Sequence, residues 1–74
     1  MANHDDDVQS SIDHLDAAID RMSDVAINLL HKAMHEADPK QSPSAKAEKL
    51  VTRARRSAEK ARHLLATIDL GDDQ

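Results

Sequence analysis

The sequence predicts an all-α fold: an antiparallel hairpin of two long helices, expected to pair into a homodimeric four-helix bundle. Its 74 residues include one glycine and two prolines, which is typical of a helical chain with very few turns. Apolar residues recur every three or four positions in both halves, as they do in packed helices. A chain this short buries little core, and without cysteine it has no disulfides. A second copy is therefore the expected source of the missing core.

One helical-hairpin domain is expected over residues 7–70. Residues 1–6 are expected to form a flexible acidic N-terminus, and residues 71–74 a disordered acidic tail. Within the domain we expect the first helix over about 5–37, a turn over 38–43 and the second helix over about 44–70.

The first helix is predicted by an apolar seam whose spacings alternate between four and three. Aspartates at positions 5, 6 and 7 suit the positive end of its dipole. Ser23 and Asp24 are an alternative helix start, which would give a three-helix monomer. The unbroken heptad through this segment favours one continuous helix. The seam residues expected to form core or dimer contacts are Ile12, Leu15, Ile19, Met22 and Leu29.

The turn is predicted from two prolines and two serines. Asp38 precedes Pro39, a position that disfavours helical backbone, so the first helix should end there. Ser42 is a candidate N-cap for the second helix, with Pro43 at the first helical position. Ser44 is a competing N-cap.

The second helix is predicted to end at Gly71, the only glycine of the chain, in the C-cap position. Its alanine-rich seam allows close approach of a neighbouring helix. The seam residues expected in the core or the dimer are Val51, Ala54, Ala58, Ala61, Leu65 and Ile68.

A turn of about five residues makes the two helices antiparallel neighbours. A hairpin that turns near position 40 places Arg62 beside Asp20, and Arg55 beside Asp24 or Asn28. These two arginines are expected to form salt bridges along the seam. This layout, two helices with an alanine-containing seam, resembles that of the Rop family of RNA-binding hairpin dimers. The resemblance is in layout alone, so no functional residue is carried over.

Charge is distributed unevenly between the two halves. Residues 1–38 contain nine acidic residues but only Arg21 and Lys32 as bases, whereas residues 44–68 contain seven bases. Nucleic acid is the alternative partner, although an acidic chain without aromatic residues is poorly suited to it. The residues that would bind it form a basic line along the second helix: Lys49, Arg53, Arg56 and Lys60.

No arrangement of residues predicts catalysis. Ser10, Ser11, Asp13 and His14 contain the residue types of a hydrolase triad, but side chains this close together along a helix point in different directions. We therefore expect no enzyme activity, no catalytic residue and no small-molecule substrate.

Metal binding is not predicted either. His31 and His35 lie four residues apart and supply only half of a site. Glu36, which adjoins them, is interpreted as a residue at the end of the bundle. We expect no metal and no cofactor.

The expected function is protein binding. Apolar residues beyond the seam form a candidate partner patch, Ile27, Leu30 and Met34. The chain is expected to bind itself and another protein, as small anti-activators, antitoxins and phage-encoded inhibitors do. Its polar start predicts no signal peptide, and no apolar run is long enough for a membrane span, so a cytoplasmic protein without membrane contact is expected.

Overall fold

The computed structural model describes residues 4–38 and 41–68. It contains two helices, α1 (His4–Met34) and α2 (Pro43–Ala66), which pack against each other along their length. Contacts between the start of α2 and the end of α1, and between the end of α2 and the first half of α1, make the pair antiparallel. The all-α hairpin is confirmed. Within the described residues, neither helix has an apolar stretch that would cross a bilayer.

Helix α1 is continuous through Ser23 and Asp24. The hydroxyl of Ser23 donates to the backbone oxygen of Ile19 at 3.1 Å, so it serves the helix that contains it and does not cap a new one. The three-helix alternative is therefore wrong for this chain. Residues 4–6, expected in a flexible N-terminus, have helical backbone.

The end of α1 comes three residues earlier than expected. Beyond Met34, the N–H groups of His35 and Glu36 donate to carbonyls three residues back, each at 3.1 Å. This pattern tightens the last turn of a helix. The early ending frees the Glu36 side chain to reach the start of α2.

Ser42 is the N-cap of α2, which decides between the two candidate serines. Its backbone is extended, and its Oγ accepts a hydrogen bond from the Ala45 N–H at 2.9 Å. Pro43 occupies the first turn, where its missing N–H costs nothing. Both Ser42 and Ser44 are buried.

Helix α2 ends at Ala66, about four residues before the expected end. Thr67 is the C-cap, and both its N–H and its hydroxyl donate to the Leu64 carbonyl, at 3.2 and 2.6 Å. A threonine hydroxyl that satisfies a terminal carbonyl competes with further helix. The expected C-cap at Gly71, the tail at 71–74 and residues 39–40 of the turn lie outside the described residues.

The core between the helices is small. In the described part of the chain, the buried apolar residues are Ile12, Ala26 and Ala33, and all three lie on α1. The facing residues of α2 are mostly half-buried. The hairpin therefore leaves much of its apolar surface in contact with water.

Candidate interaction surfaces

The face of α2 that packs on α1 differs from the predicted seam. Burial follows a heptad line with two arginines and a glutamate, which we call the inner line. All of its members are buried or half-buried: Ser44, Glu48, Val51, Arg55, Ala58, Arg62 and Leu65.

Because α2 packs on α1 through a different face, some of the predicted seam residues are covered and others are exposed. Ile12 is buried, and the half-buried members are Leu15, Ile19, Met22, Leu29, Val51, Ala58, Ala61 and Leu65. Ala54 and Ile68 are exposed, so the hairpin alone does not bury them. Ala54 fits a heptad spacing as well as Arg55 does, but it is Arg55 that lies on the side of α2 facing α1. Burial of Ala54 and Ile68 would require a contact from outside the described hairpin.

An ion pair fixes the register of the hairpin. Arg62 Nε donates to Asp16 Oδ1 at 2.9 Å, and both side chains are a little under half exposed. The expected pairing with Asp20 is therefore wrong by one helical turn.

Arg55 occupies the middle of the inner line without an acidic partner. Its Nε is buried and has no hydrogen-bond partner, in contrast to the expected salt bridge to Asp24. An unpaired buried donor costs free energy. The face of α2 that the hairpin covers thus includes charged side chains.

The turn is held by a carboxylate that sequence reasoning treated as an end residue. Ser44 Oγ donates to Glu36 Oε2 at 2.9 Å, while Glu36 Oε1 is buried without a partner. Hydrogen bonding from the side chain of Ser42, and then from that of Ser44, lowers the pKa of the Glu36 carboxyl. This charged carboxylate also lies at the positive N-terminal end of α2. No signal in the sequence indicated that Glu36 would reach across the turn.

The partner patch is exposed, as its proposed role requires. Ile27 is 51% exposed, Leu30 is 46% and Met34 is 71%. Their spacing of three and four places them on one side of α1. They therefore form one apolar surface near the turn.

The basic line of α2 is also exposed. Among the described residues, none of its four members forms an ion pair. Three of them line a shallow cavity of about 430 Å³ on the surface of α2, together with Glu48 and Thr52. Thr52 Oγ1 donates to Glu48 Oε2 at 2.6 Å, which satisfies part of that carboxylate. The cations of the cavity remain available to an anionic partner.

A second heptad of α2 is the feature that sequence reasoning missed. Leu50 is 62% exposed and Leu64 is 56% exposed, although both are large apolar residues. They belong to a line with spacings of three and four that contains no charged residue. We call it the outer line: Ala47, Leu50, Ala54, Ser57, Ala61, Leu64 and Ile68. The spacing itself was the signal, since the outer line runs beside the predicted seam and shares three of its positions.

The polar residues considered for catalysis and metal binding lie on α1 or just beyond its end. The Nδ1 of His35 lies 2.8 Å from the backbone oxygen of His31, which ties the ring to the end of α1. Across residues 4–38 and 41–68, no three histidine, aspartate or glutamate side chains come together as metal ligands. Ser11 donates to the Asp7 carbonyl within α1.

The surfaces are therefore two apolar ones and a basic one, and they carry no signature of a known family. No protein-family model, no curated protein and no solved structure matches the chain.

Proposed function

We propose that this chain is a small non-enzymatic interaction protein that dimerises through its heptad seams and binds or inhibits another protein. One observation carries the proposal. Seven large apolar side chains are exposed on a hairpin whose described core contains only three buried apolar residues. Apolar surface of this extent on so small a molecule favours association with protein.

The exposed apolar residues belong to two sides of the hairpin. In an antiparallel pair of right-handed helices, the helical period places the partner patch on one side and the outer line of α2 on the other. Val25, which is 44% exposed, belongs to the side of the outer line. A dimer that covers one side thus leaves the partner patch accessible.

The surroundings of the partner patch define the chemistry of its ligand. The register set by the Arg62–Asp16 pair places Leu30 at the height of Lys49. Lys49 and Arg56 lie on the side of α2 that adjoins the patch. An amphipathic segment with apolar anchors and acidic flanks complements such a surface.

The test compares two variants in partner capture. Leu30→Gln combined with Met34→Gln removes the apolar anchors, and we expect it to weaken partner binding about tenfold or more. The matched control is His31→Gln combined with His35→Gln, which changes exposed polar residues beside the patch. Wild-type protein and the control should retain the same nuclease-resistant protein from host lysate, and the patch variant should lose it. Equal retention by all three contradicts the proposal.

Nucleic-acid binding is a second candidate, favoured by the unpaired cations of the basic line. If it holds, affinity for a duplex or single-stranded probe should fall steeply between about 50 and 200 mM salt. Arg53→Glu combined with Arg56→Glu should abolish the binding. Binding that is insensitive to both changes removes this candidate, because phosphate contacts are salt-dependent.

A further inference from the structure

The outer line of α2 has the properties of a helix-packing seam, yet the hairpin does not cover it. Within it, Leu50, Ala54, Ser57, Leu64 and Ile68 are exposed, and Ala47 and Ala61 are half-buried. It contains no acidic or basic side chain over 22 positions, although α2 is strongly charged elsewhere. Covering it therefore costs no burial of charge.

The order of residues along this line is nearly the same from either end. Ser57 is central, with alanines at 54 and 61 on either side of it, and leucines at 50 and 64 beyond them. A line with this symmetry is self-complementary when two copies run in opposite directions. We propose that the outer line packs against the outer line of a second copy, antiparallel, with the two-fold axis at Ser57.

This arrangement pairs side chains of fitting size. Leu50 lies beside Leu64 of the partner subunit, and Ala54 beside Ala61 of the partner subunit. Alanines and a serine at the centre let the two α2 backbones approach to about 8 Å, the short end of the usual interhelical range. Leu50 and Leu64 then pack at the two ends of this close contact.

Helix α1 supports the same axis independently. It carries a line beside the core with spacings of three and four, and two leucines of this line lie seven residues on either side of Met22. The line is Leu15, Ala18, Met22, Val25 and Leu29, with leucine at both ends. It lies on the same side of the hairpin as the outer line.

The register brings the two centres together. The Arg62–Asp16 and Ser44–Glu36 contacts place Ser57 at the height of Met22. A single two-fold axis between two hairpins therefore serves both helices, with α1 on α1 and α2 on α2.

The area of this face suits a stable dimer. A surface as long as α2, about 36 Å, and two helices wide, about 20 Å, covers on the order of 700 Å² of each copy. The sum of both copies lies within the roughly 1,200–2,000 Å² of specific interfaces. The partner patch stays outside the contact, since it lies on the other side of the hairpin.

The inference rests on the dimer of the proposed function but not on its protein partner. The test uses single cysteines, because the natural chain has none. Ser57→Cys places a thiol on the two-fold axis, and we expect mild oxidation to link the two copies. The matched control, Glu59→Cys, places an exposed thiol on the opposite side of α2 and should stay unlinked.

Direction is tested with Leu50→Cys and Leu64→Cys. Each alone should stay unlinked, because identical positions lie about 21 Å apart in the antiparallel pair. A disulfide needs Cα atoms within about 7 Å. An equal mixture of the two variants should form the mixed disulfide. Linkage of Leu50→Cys to itself would mean a parallel pair and would overturn the inference.

Sedimentation of the reduced, unmodified chain completes the test, with detection by refractive index because the chain has no aromatic residue. A dimer that dissociates on dilution is expected. If the chain remains a monomer at protein concentrations up to about 100 µM, any self-association is weak and the inference is overturned. A dimer in which Ser57→Cys forms no disulfide also overturns it. A linked dimer that captures no protein leaves the inference standing and removes only the partner half of the proposed function. Circular dichroism of each variant verifies that it remains helical.

Discussion

The inner and outer lines of α2 differ in polarity and in burial, and the more apolar of the two lines is the one that is more exposed. The inner line is covered by α1, yet it contains Glu48, Arg55 and Arg62. The outer line is largely exposed, yet it contains only alanine, leucine, isoleucine and one serine. In a self-sufficient monomer the apolar line would face α1, because burial of apolar surface is the main stabilising contribution.

The comparison shows that α2 carries two lines of different chemistry, and that α1 covers the one with charged residues. Its polar inner line determines the register of the hairpin through the Arg62–Asp16 pair. Its apolar outer line supplies surface for a contact that does not require charge. The predictions below change one line at a time, and the largest expected effect comes first.

The largest loss is expected where α1 supports the inner line. Ile12 is only 7% exposed, and Ile12→Ala should lower the free energy of unfolding by about 2–4 kcal/mol. Urea unfolding followed by circular dichroism at several protein concentrations measures it. The effect should be the same at each concentration, whereas Leu64→Ala on the outer line should destabilise less as the protein is diluted. A concentration-independent effect of Leu64→Ala would break the comparison.

Arg55 tests whether the polarity of the inner line costs stability. Arg55→Leu removes a guanidinium with a buried unpaired nitrogen and adds apolar surface, so the free energy of unfolding should rise by about 1 kcal/mol. The control, Arg53→Leu on the exposed basic line, should change it by less than about 0.5 kcal/mol. Destabilisation by Arg55→Leu would show that the arginine is satisfied within the hairpin after all.

The turn gives the hairpin a dependence on pH. Because the pKa of Glu36 is lower in the folded state, its contribution to stability is fully present above the ordinary glutamate pKa of about 4.3. It is lost as the pH falls through the lower folded-state value. Thermal unfolding of wild type and Glu36→Gln across this range should show a steeper acid loss in wild type. Parallel curves would contradict the role of Glu36.

The smallest effect is expected at the ion pair. Arg62→Ala should cost about 0.2–1 kcal/mol, because both side chains are nearly half exposed and water screens the pair. A double-mutant cycle with Asp16→Ala isolates the coupling, which should shrink as salt is added. The same cycle with Asp20→Ala should show no coupling. Coupling to Asp20 would restore the register expected from sequence.

The sequence was sufficient to predict the two helices, but not how each helix is rotated about its axis or which residues of the two helices lie side by side. Heptad spacing, the prolines of the turn and the Ser42 cap predicted both helices to within four residues at each end. The same spacing fits the inner line, the predicted seam and the outer line of α2, so periodicity alone does not choose the face that meets α1. The choice depends on where the chain reverses, and the sequence analysis did not foresee the Glu36–Ser44 contact that joins the two helices beside the turn.

The site predictions show the same contrast: exposure on a single helix was predicted correctly, and contacts between the helices were not. The partner patch and the basic line are exposed as expected, because neither belongs to the predicted seam. Arg55 and Arg62 did not find their expected partners, since a shift of one helical turn changes every cross-helix pair. Leu50 and Leu64 lie outside the predicted seam, and the sequence analysis did not identify the second line to which they belong.

The contacts of the turn also determine the order in which the hairpin forms. Ser44 and Glu36 are separated by eight positions along the chain, whereas Arg62 and Asp16 are separated by 46. Closing the short loop costs less entropy, so the turn should fold first and the helices should then pair toward the chain ends. Amide hydrogen exchange should accordingly be slowest near the turn and fastest near the ends, because local opening begins where supporting contacts are fewest.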